Sequence, residues 1–173
     1  MTGKGSLNHN SRKFHAKNTD PNRTHWNVEY CNEDIKDVYH ELFDEALKRY
    51  NDKQTRKDRK IDDYYEKIRS GKQEKLFHEV ILQIGDKDNM GSETMEGQLA
   101  AKILDEYMKG FQERNPTLRV FAAHLHLDEA TPHLHIDFIP YVAGSKRGLD
   151  TRVSLKQALS SLGFKGGSRS ETE

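Results

Sequence analysis

One cysteine, no long apolar run and no net charge set the first limits on this chain. Cys31 is the only thiol in 173 residues. It excludes an intramolecular disulfide and suits a reducing compartment, so the expected location is cytoplasmic. No apolar run approaches the ~18 residues of a membrane span, and the polar N-terminus has no signal-peptide core. Lys+Arg and Asp+Glu stand at 28 each, so a polyanionic partner would have to be met by the distribution of charge and not by its sum. Only 34% of the residues are hydrophobic and 32% are charged. That suffices for one domain with a core and leaves much solvated surface. His-Glu-x-x-His, a Ser elbow, a paired-Cys zinc motif and a βαβ phosphate loop are all missing, and so is any internal repeat.

What the chain does have is histidine. Four of its nine histidines lie in the run His124-Leu125-His126-Leu127-Asp128-Glu129-Ala130-Thr131-Pro132-His133-Leu134-His135-Ile136-Asp137. Strict alternation on both sides of a polar, Pro-ended break predicts a β-hairpin, with strands near 117–127 and 133–142 and a turn over 128–132. The period of two puts His124 and His126 on one face of the first strand, and His133, His135 and Asp137 on one face of the second. If His126 lies across from His133, His124 falls opposite His135, and a cross-strand separation of roughly 5 Å brings imidazoles within reach of one ion. Phe121, Ala123, Leu125, Leu127, Leu134, Ile136 and Phe138 point the other way, onto a core. Three neutral imidazoles leave ligand positions open, which suits Lewis-acid catalysis better than a closed structural site. Ligand softness favours Zn, Fe, Ni or Cu, whereas a phosphate substrate would tilt the choice toward Mn or Mg.

The rest of the chain supplies the scaffold. Residues 1–25 are rich in Gly, Asn and basic residues and poor in aliphatics; they read either as a disordered basic arm or as turn-forming loops able to lie over a site. A strand is predicted over 24–31, an amphipathic helix over 34–50, a charged helix end or loop over 51–60, and a short helix over 61–68. A strand over 76–84 and a loop over 85–91 follow. Ser92 is the expected N-cap of a long helix to about Arg114, with Met95, Leu99, Ile103, Tyr107, Ala100, Leu104, Met108 and Phe111 as its apolar residues. After the hairpin come a basic loop over 144–151, with Lys146, Arg147 and the neighbouring Arg152, a helix over 154–162, and a polar tail. This order predicts an α+β fold with a largely antiparallel sheet. Helices would cover the oily face of the hairpin and leave the imidazole face open. The expected organisation is a single domain over 1–173, with a basic arm at 1–23 and a polar tail at 163–173.

Three segments together carry a resemblance. Asn8-His9-Asn10-Ser11-Arg12, then Asp20-Pro21-Asn22-Arg23-Thr24-His25-Trp26-Asn27, then His126-x-Asp128-Glu129-x-x-Pro132-His133-x-His135 resemble, in order and spacing, the Mob/Pre plasmid mobilisation relaxases, the MobV group of HUH endonucleases. The resemblance covers most of the chain, and its third motif is the specific one. It implies an HUH-type sheet and site-specific nicking of one plasmid DNA strand at a transfer origin. The enzyme would stay covalently attached to the 5′ phosphate and later rejoin the ends, serving conjugative mobilisation and plasmid recombination. It further implies that His126, His133 and His135 hold Mn²⁺ or Mg²⁺, with Zn²⁺ also compatible, and that His9 is the nucleophile. Arg12 would contact phosphate or the transition state, and Glu129 would orient or deprotonate His9. Single-stranded or supercoiled plasmid DNA is the implied partner, and a homodimer is compatible with it. The sequence departs from the family pattern in having only residues 1–8 ahead of His9. It also lacks the long C-terminal region such relaxases carry, so a relaxase domain or a truncated copy is expected.

A His nucleophile is chemically reasonable, because an imidazole of ordinary pKa near 6.5 is largely neutral at pH 7 whereas a tyrosine near 10 needs activation. The rival is a tyrosine. Tyr141 lies in the same strand as His135 and not on a following helix, which leaves Tyr30 as the tyrosine to examine. Two other functions compete: a non-enzymatic DNA-binding module with a structural metal, and a metallohydrolase of small phosphoesters. The basic arm and residues 146–152 predict a salt-dependent DNA affinity if the first reading or the DNA-binding module holds.

Overall fold

A computed structural model describes residues 6–14 and 16–164. Parts of the expected arm (residues 1–5 and 15) and most of the expected tail (residues 165–173) lie outside that range. The architecture is mixed α+β with an open antiparallel sheet, as expected. Strands β1 (Val28–Asn32), β2 (His78–Gln83), β3 (Leu118–His126) and β4 (His133–Val142) are ordered β1-β3-β4-β2, and a short β5 (Arg152–Val153) pairs with β4. The chain divides into two compact units.

The first unit comprises Met1–Glu33, His78–Arg114 and Val120–Phe138. β1 runs antiparallel to β3, with Glu29 across from His124 and a bulge between Glu29 and Cys31. β2 runs antiparallel to β4, pairing Glu79 with Asp137, Ile81 with His135 and Gln83 with His133. Directly paired residues share a face, so Glu79 belongs to the imidazole side. The predicted strand over 24–31 begins later than expected, because Thr24–Trp26 forms a 3₁₀ turn first. Helix α4 (Met95–Lys109) lies against β2 and ends at Gly110, with α5 (Phe111–Arg114) after it. Its N-cap is Thr94, which accepts from the Gly97 amide, and not Ser92. Ser92 is instead buried and turned to the hairpin: its hydroxyl donates to the Glu129 carbonyl at 2.9 Å and its amide to that of Ala130 at 3.1 Å. A Cβ on Gly97 would lie 1.9 Å from the Gly91 carbonyl oxygen, so only glycine permits this seat for the helix. Of the expected apolar residues of α4, Ala100, Leu104 and Met108 are buried while Met95, Leu99, Ile103 and Tyr107 are exposed.

The second unit holds α2 (Ile35–Asp52), α3 (Tyr64–Ser70), α6 (Leu155–Ser161) and β5. Val38, Tyr39, Phe43 and Ala46 form the buried face of α2. Phe43 meets Tyr64 with ring centroids 4.9 Å apart. α3 starts at Tyr64, later than the predicted 61, because Asp63 caps it by accepting from the Glu66 amide at 2.9 Å. Residues predicted as loop up to 151 lead directly into β5, whose Val153 amide donates to the Tyr64 hydroxyl. Asp150 accepts the guanidinium of Arg49 through both oxygens.

Candidate metal site

The hairpin imidazoles are not on an open face. His126, His133, His135 and Asp137 are all buried, and His126 and Asp137 are fully so. The cover comes from the segment that was open between arm and loop. Ser6 caps α1 (Leu7–Asn10), a single turn that carries His9 and inserts Asn10 into the site. Asn10 is 2% exposed, and its amide group donates to Glu79 Oε1 at 2.9 Å and Asp137 Oδ2 at 3.0 Å. A buried polar side chain needs such partners, and a short polar helix could not enter a sheet face without them.

Arg12 anchors the other end of that turn. It is the only non-glycine residue with positive φ among the described residues, at 52°, a conformation that costs energy and persists where side-chain contacts fix it. Its guanidinium forks onto Asp128, with Nε to Oδ2 at 3.0 Å and Nη2 to Oδ1, and Nη2 also donates to Glu129 Oε1 at 2.9 Å. Nη1 donates to the His9 carbonyl and lies 3.2 Å from His9 Nε2. Burial would raise the Asp128 pKa, but the Arg12 fork overrides it and draws the carboxyl down to about 2. On the opposite side, burial and the charge of Glu79 push Asp137 up to about 7, against the hydrogen bond from Asn10.

The second motif holds the turn. Asp20 donates its amide to the Asp128 carbonyl at 2.7 Å, and Arg23 donates to the carbonyls of Leu127 and Glu129. The Asn27 side-chain oxygen accepts from the amides of Leu127 and Asp128 at 2.7 and 3.2 Å. Arg23 and Arg12, two of the cations that the sequence offered to a polyanion, are thus engaged by the protein itself.

The ring nitrogens have definite roles. His126 Nε2 donates to the Asn10 carbonyl at 2.8 Å, His133 Nδ1 to the Thr131 carbonyl at 2.8 Å, and His135 Nδ1 to Glu79 Oε1 at 2.7 Å. The remaining nitrogens are then lone pairs. His126 Nδ1 and His133 Nε2 face each other at 3.4 Å, and His135 Nε2 is buried with no hydrogen-bond partner. The three rings are 4.8 to 5.2 Å apart, centroid to centroid. Lone pairs on imidazoles whose other nitrogens are fixed by a carboxylate and two carbonyls suit a divalent cation, but among the described residues the ligand atoms of His126, His133 and His135 do not by themselves lie within 4.8 Å of one another. Burial lowers the pKa of His133 and drives that of His126 down to about 2, so both stay neutral and ready to ligate. Two overlapping groups have ligand atoms within 4.8 Å of one another: His9, His126 and His135, and His126, Glu129 and His133.

His9 is brought to this cluster. Its ring lies 5.8 Å from that of His126 and 6.1 Å from that of His135, and its Nε2 is 3.3 Å from Glu129 Oε1. Partial burial and the Arg12 charge lower its pKa, partly offset by Glu129. Glu129 also accepts from the Asn18 amide group at 2.6 Å. His124 stands apart, with Nε2 3.2 Å from Glu29 on the neighbouring strand. Tyr30 is turned away from the imidazoles: its hydroxyl donates to Asp105 of α4 at 2.8 Å, and burial with that bond raises its pKa. The Tyr141 hydroxyl donates to the Pro116 carbonyl. Sequence reasoning missed Asn10, Glu79 and Asp137 as site residues. The signal for Glu79 was the alternation Phe77, Glu79, Ile81, Gln83, which puts a carboxylate and an amide on one face of the strand; pairing with β4 makes that the imidazole face.

A histidine cluster on an antiparallel sheet, covered by a one-turn N-terminal helix that bears a further histidine, could hold a metal ion. The family model described as "Plasmid recombination enzyme" (Mob_Pre) matches residues 4–163, and the chain belongs to that family. No curated protein sequence matches it. Among solved structures it is similar to the MobM relaxase domain (MOBV; Mob_Pre) bound to plasmid pMV158 oriT DNA, a Mn-bound crystal structure at pH 5.5. That likeness has 25% identity and a TM-score of 0.48, covering 96% of this chain and 85% of that one. A second Mn-bound MobM structure with oriT DNA, at pH 6.5, gives 24% identity and a TM-score of 0.43 over 96% and 83%. Among the described residues no helix is long and apolar enough to cross a membrane.

Proposed function

We propose that this chain nicks one strand of plasmid DNA at a transfer origin and rejoins it through a covalent 5′-phosphate intermediate on His9. The observation that supports the reading most is the convergence of His9, through Arg12 and Asn10, on three imidazoles with spare lone pairs. His126, His133 and His135 are the ligands we assign to a divalent metal, Mn²⁺ or Mg²⁺, which would draw charge from a nonbridging phosphate oxygen. In the tautomer with Nε2–H directed at Glu129, His9 Nδ1 holds the lone pair. Attack forms an N–P bond and breaks the P–O3′ bond; the Nε2 proton passes to Glu129, and the 3′-oxygen leaves and takes up a proton. The phosphoramidate keeps much of the energy of the broken bond, so rejoining by the 3′-hydroxyl needs no nucleotide cofactor. Arg12, with Nη1 donating to the His9 carbonyl and its fork on Asp128, positions the nucleophile and adds positive charge near the developing phosphorane.

The test is covalent capture on a labelled single strand spanning the origin, in Mn²⁺ or Mg²⁺. His9→Ala is expected to abolish the adduct and to leave Mn²⁺ affinity unchanged. An adduct on the variant would sink the His9 assignment. The second reading is a non-enzymatic DNA-binding module, favoured by the ligand-range placement of His9 beside His126 and His135. Its signature is a His9→Ala protein that binds Mn²⁺ far more weakly, paired with a parent that never forms an adduct. The Arg12 guanidinium at 3.2 Å from His9 Nε2 disfavours it, since a cation ligand is poorly placed beside a second cation.

A further inference from the structure

Phe14 is half exposed, in a segment otherwise made of polar residues, and its ring centroid lies 5.9 Å from that of His9. Phe43, Phe111, Phe121 and Phe138 are buried, whereas Phe164 is exposed like Phe14. What sets Phe14 apart is its place beside the His9 ring, where an exposed aromatic face can gain free energy by covering a flat apolar partner. The local chain delivers it deliberately. The Arg12 amide donates back to the His9 carbonyl and the Lys13 amide to the Asn8 carbonyl, which folds the segment over α1 and sends Phe14 to the His9 side. Arg12, anchored on Asp128 and Glu129, makes that turn rigid. Ile81, the cross-strand partner of His135, is also exposed. A strand with its phosphate over His9 would bring an adjoining base within reach of the Phe14 ring.

We infer that Phe14 is a stacking platform for a nucleobase flanking the scissile phosphate, holding the strand in register over His9. This rests on the strand-transfer reading and assigns it a substrate-contacting residue outside the metal cluster. Base–aromatic stacking tolerates sequence, because every base has a π-face. A mixed-sequence strand is therefore an adequate probe.

The experiment uses the His9→Ala chain in Mn²⁺, which cannot turn over, and short single strands each carrying one fluorescent adenine analogue. Adding Phe14→Leu, which keeps bulk but not the ring, is expected to weaken binding about tenfold and to abolish fluorescence quenching at one strand position. Adding Phe14→Trp instead is expected to restore affinity and to contribute emission, above that of Trp26, that a saturating strand quenches. A ring that served only to pack against His9 would produce neither optical signal. Unchanged affinity and quenching in Phe14→Leu, or indole emission indifferent to the strand in Phe14→Trp, overturns the platform. Adduct formation by the parent with His9 intact separates the two levels. An adduct without a Phe14 effect overturns the platform alone; a Phe14 effect without an adduct overturns strand transfer and leaves Phe14 as a nucleobase contact.

Discussion

Two acidic corners flank the histidine cluster, and they solve the same problem in opposite ways. Asp128 and Glu129 meet the guanidinium of Arg12. Glu79 and Asp137 meet only the neutral amide of Asn10, with His135 on Glu79. Both corners are buried, yet Asp128 is held ionised, with a pKa of about 2, and Asp137 is pushed to about 7. Burial is common to both, so the neighbours decide: at Asp128 a full cation outweighs desolvation, whereas at Asp137 the Asn10 amide does not outweigh desolvation together with the charge of Glu79, which is itself held down by His135 and Asn10. One corner is a fixed charge that ties the N-terminal segment to the hairpin turn. The other can take up a proton, so it tolerates a change of partner. Around the histidine cluster, then, charge is rigid on the His9 side and adjustable at Asp137.

The sharpest way to break this contrast is to remove each corner's donor. Arg12→Met leaves the fully buried Asp128 carboxylate with only neutral partners, the Thr24 hydroxyl and the Asn27 side chain. Removing one partner of a buried pair costs about 3–5 kcal/mol. Asn10→Ala removes two neutral donors, and the Asp137 carboxyl can answer by protonation, so the expected cost is about 1–3 kcal/mol. Chemical denaturation of both variants at neutral pH gives the order. Equal losses, or a larger one for Asn10→Ala, would show that Arg12 is not what holds the segment down.

The pH dependence of the metal-free chain should show the two corners with opposite signs. Asp137 has its folded pKa raised from 3.8 to about 7. Its favourable contribution is complete below pH 3.8 and is lost as the pH rises through about 7. Asp128 has its folded pKa lowered from 3.8 to about 2. Its contribution is present above pH 3.8 and is lost as the pH falls through about 2. His126, lowered from 6.5 to about 2 by burial, adds an acid loss that begins below pH 6.5. The Asp137 effect is therefore read as a difference. Asp137→Asn in chelator should gain stability relative to the parent as the pH rises from 4 to 7, by at most about 1.4 kcal/mol per unit. A flat difference would mean that Asp137 is ionised throughout.

The same contrast explains what the amino-acid order could and could not disclose. The hairpin was legible because period-two alternation over its two strands is set by the pleat alone, and β3 and β4 fall within a residue or two of the expected bounds. The convergence of His126, His133 and His135 follows from that same alternation. The open imidazole face was the error. Its cover depends on Asn10 reaching Glu79 and Asp137, which are 69 and 127 residues away, and nothing periodic marks such pairings. Ser92 misled for a related reason: its hydroxyl had a better partner in the Glu129 carbonyl than in a helix end. The two-residue β5 has no pattern long enough to be read. In α4 the apolar residues encircle too much of the helix for sequence to say which side is buried.

The smallest expected effect concerns the tyrosine that competed with His9. Tyr30→Phe removes one hydrogen bond, to an Asp105 carboxylate that keeps the Lys109 ammonium as a partner. Asp105 is half-buried and keeps that ammonium, so the loss should be about 1 kcal/mol. The Tyr30 pKa is raised by burial and by the Asp105 bond, so its phenolate is scarce at neutral pH, the reverse of what a nucleophile requires. Covalent capture on an origin strand should therefore proceed at the parental rate in Tyr30→Phe and stop in His9→Ala. Loss of the adduct in Tyr30→Phe with stability intact would move the nucleophile to β1. It would also leave the Arg12 and Asp128 corner as an anchor for the N-terminal turn, with no reacting group on it.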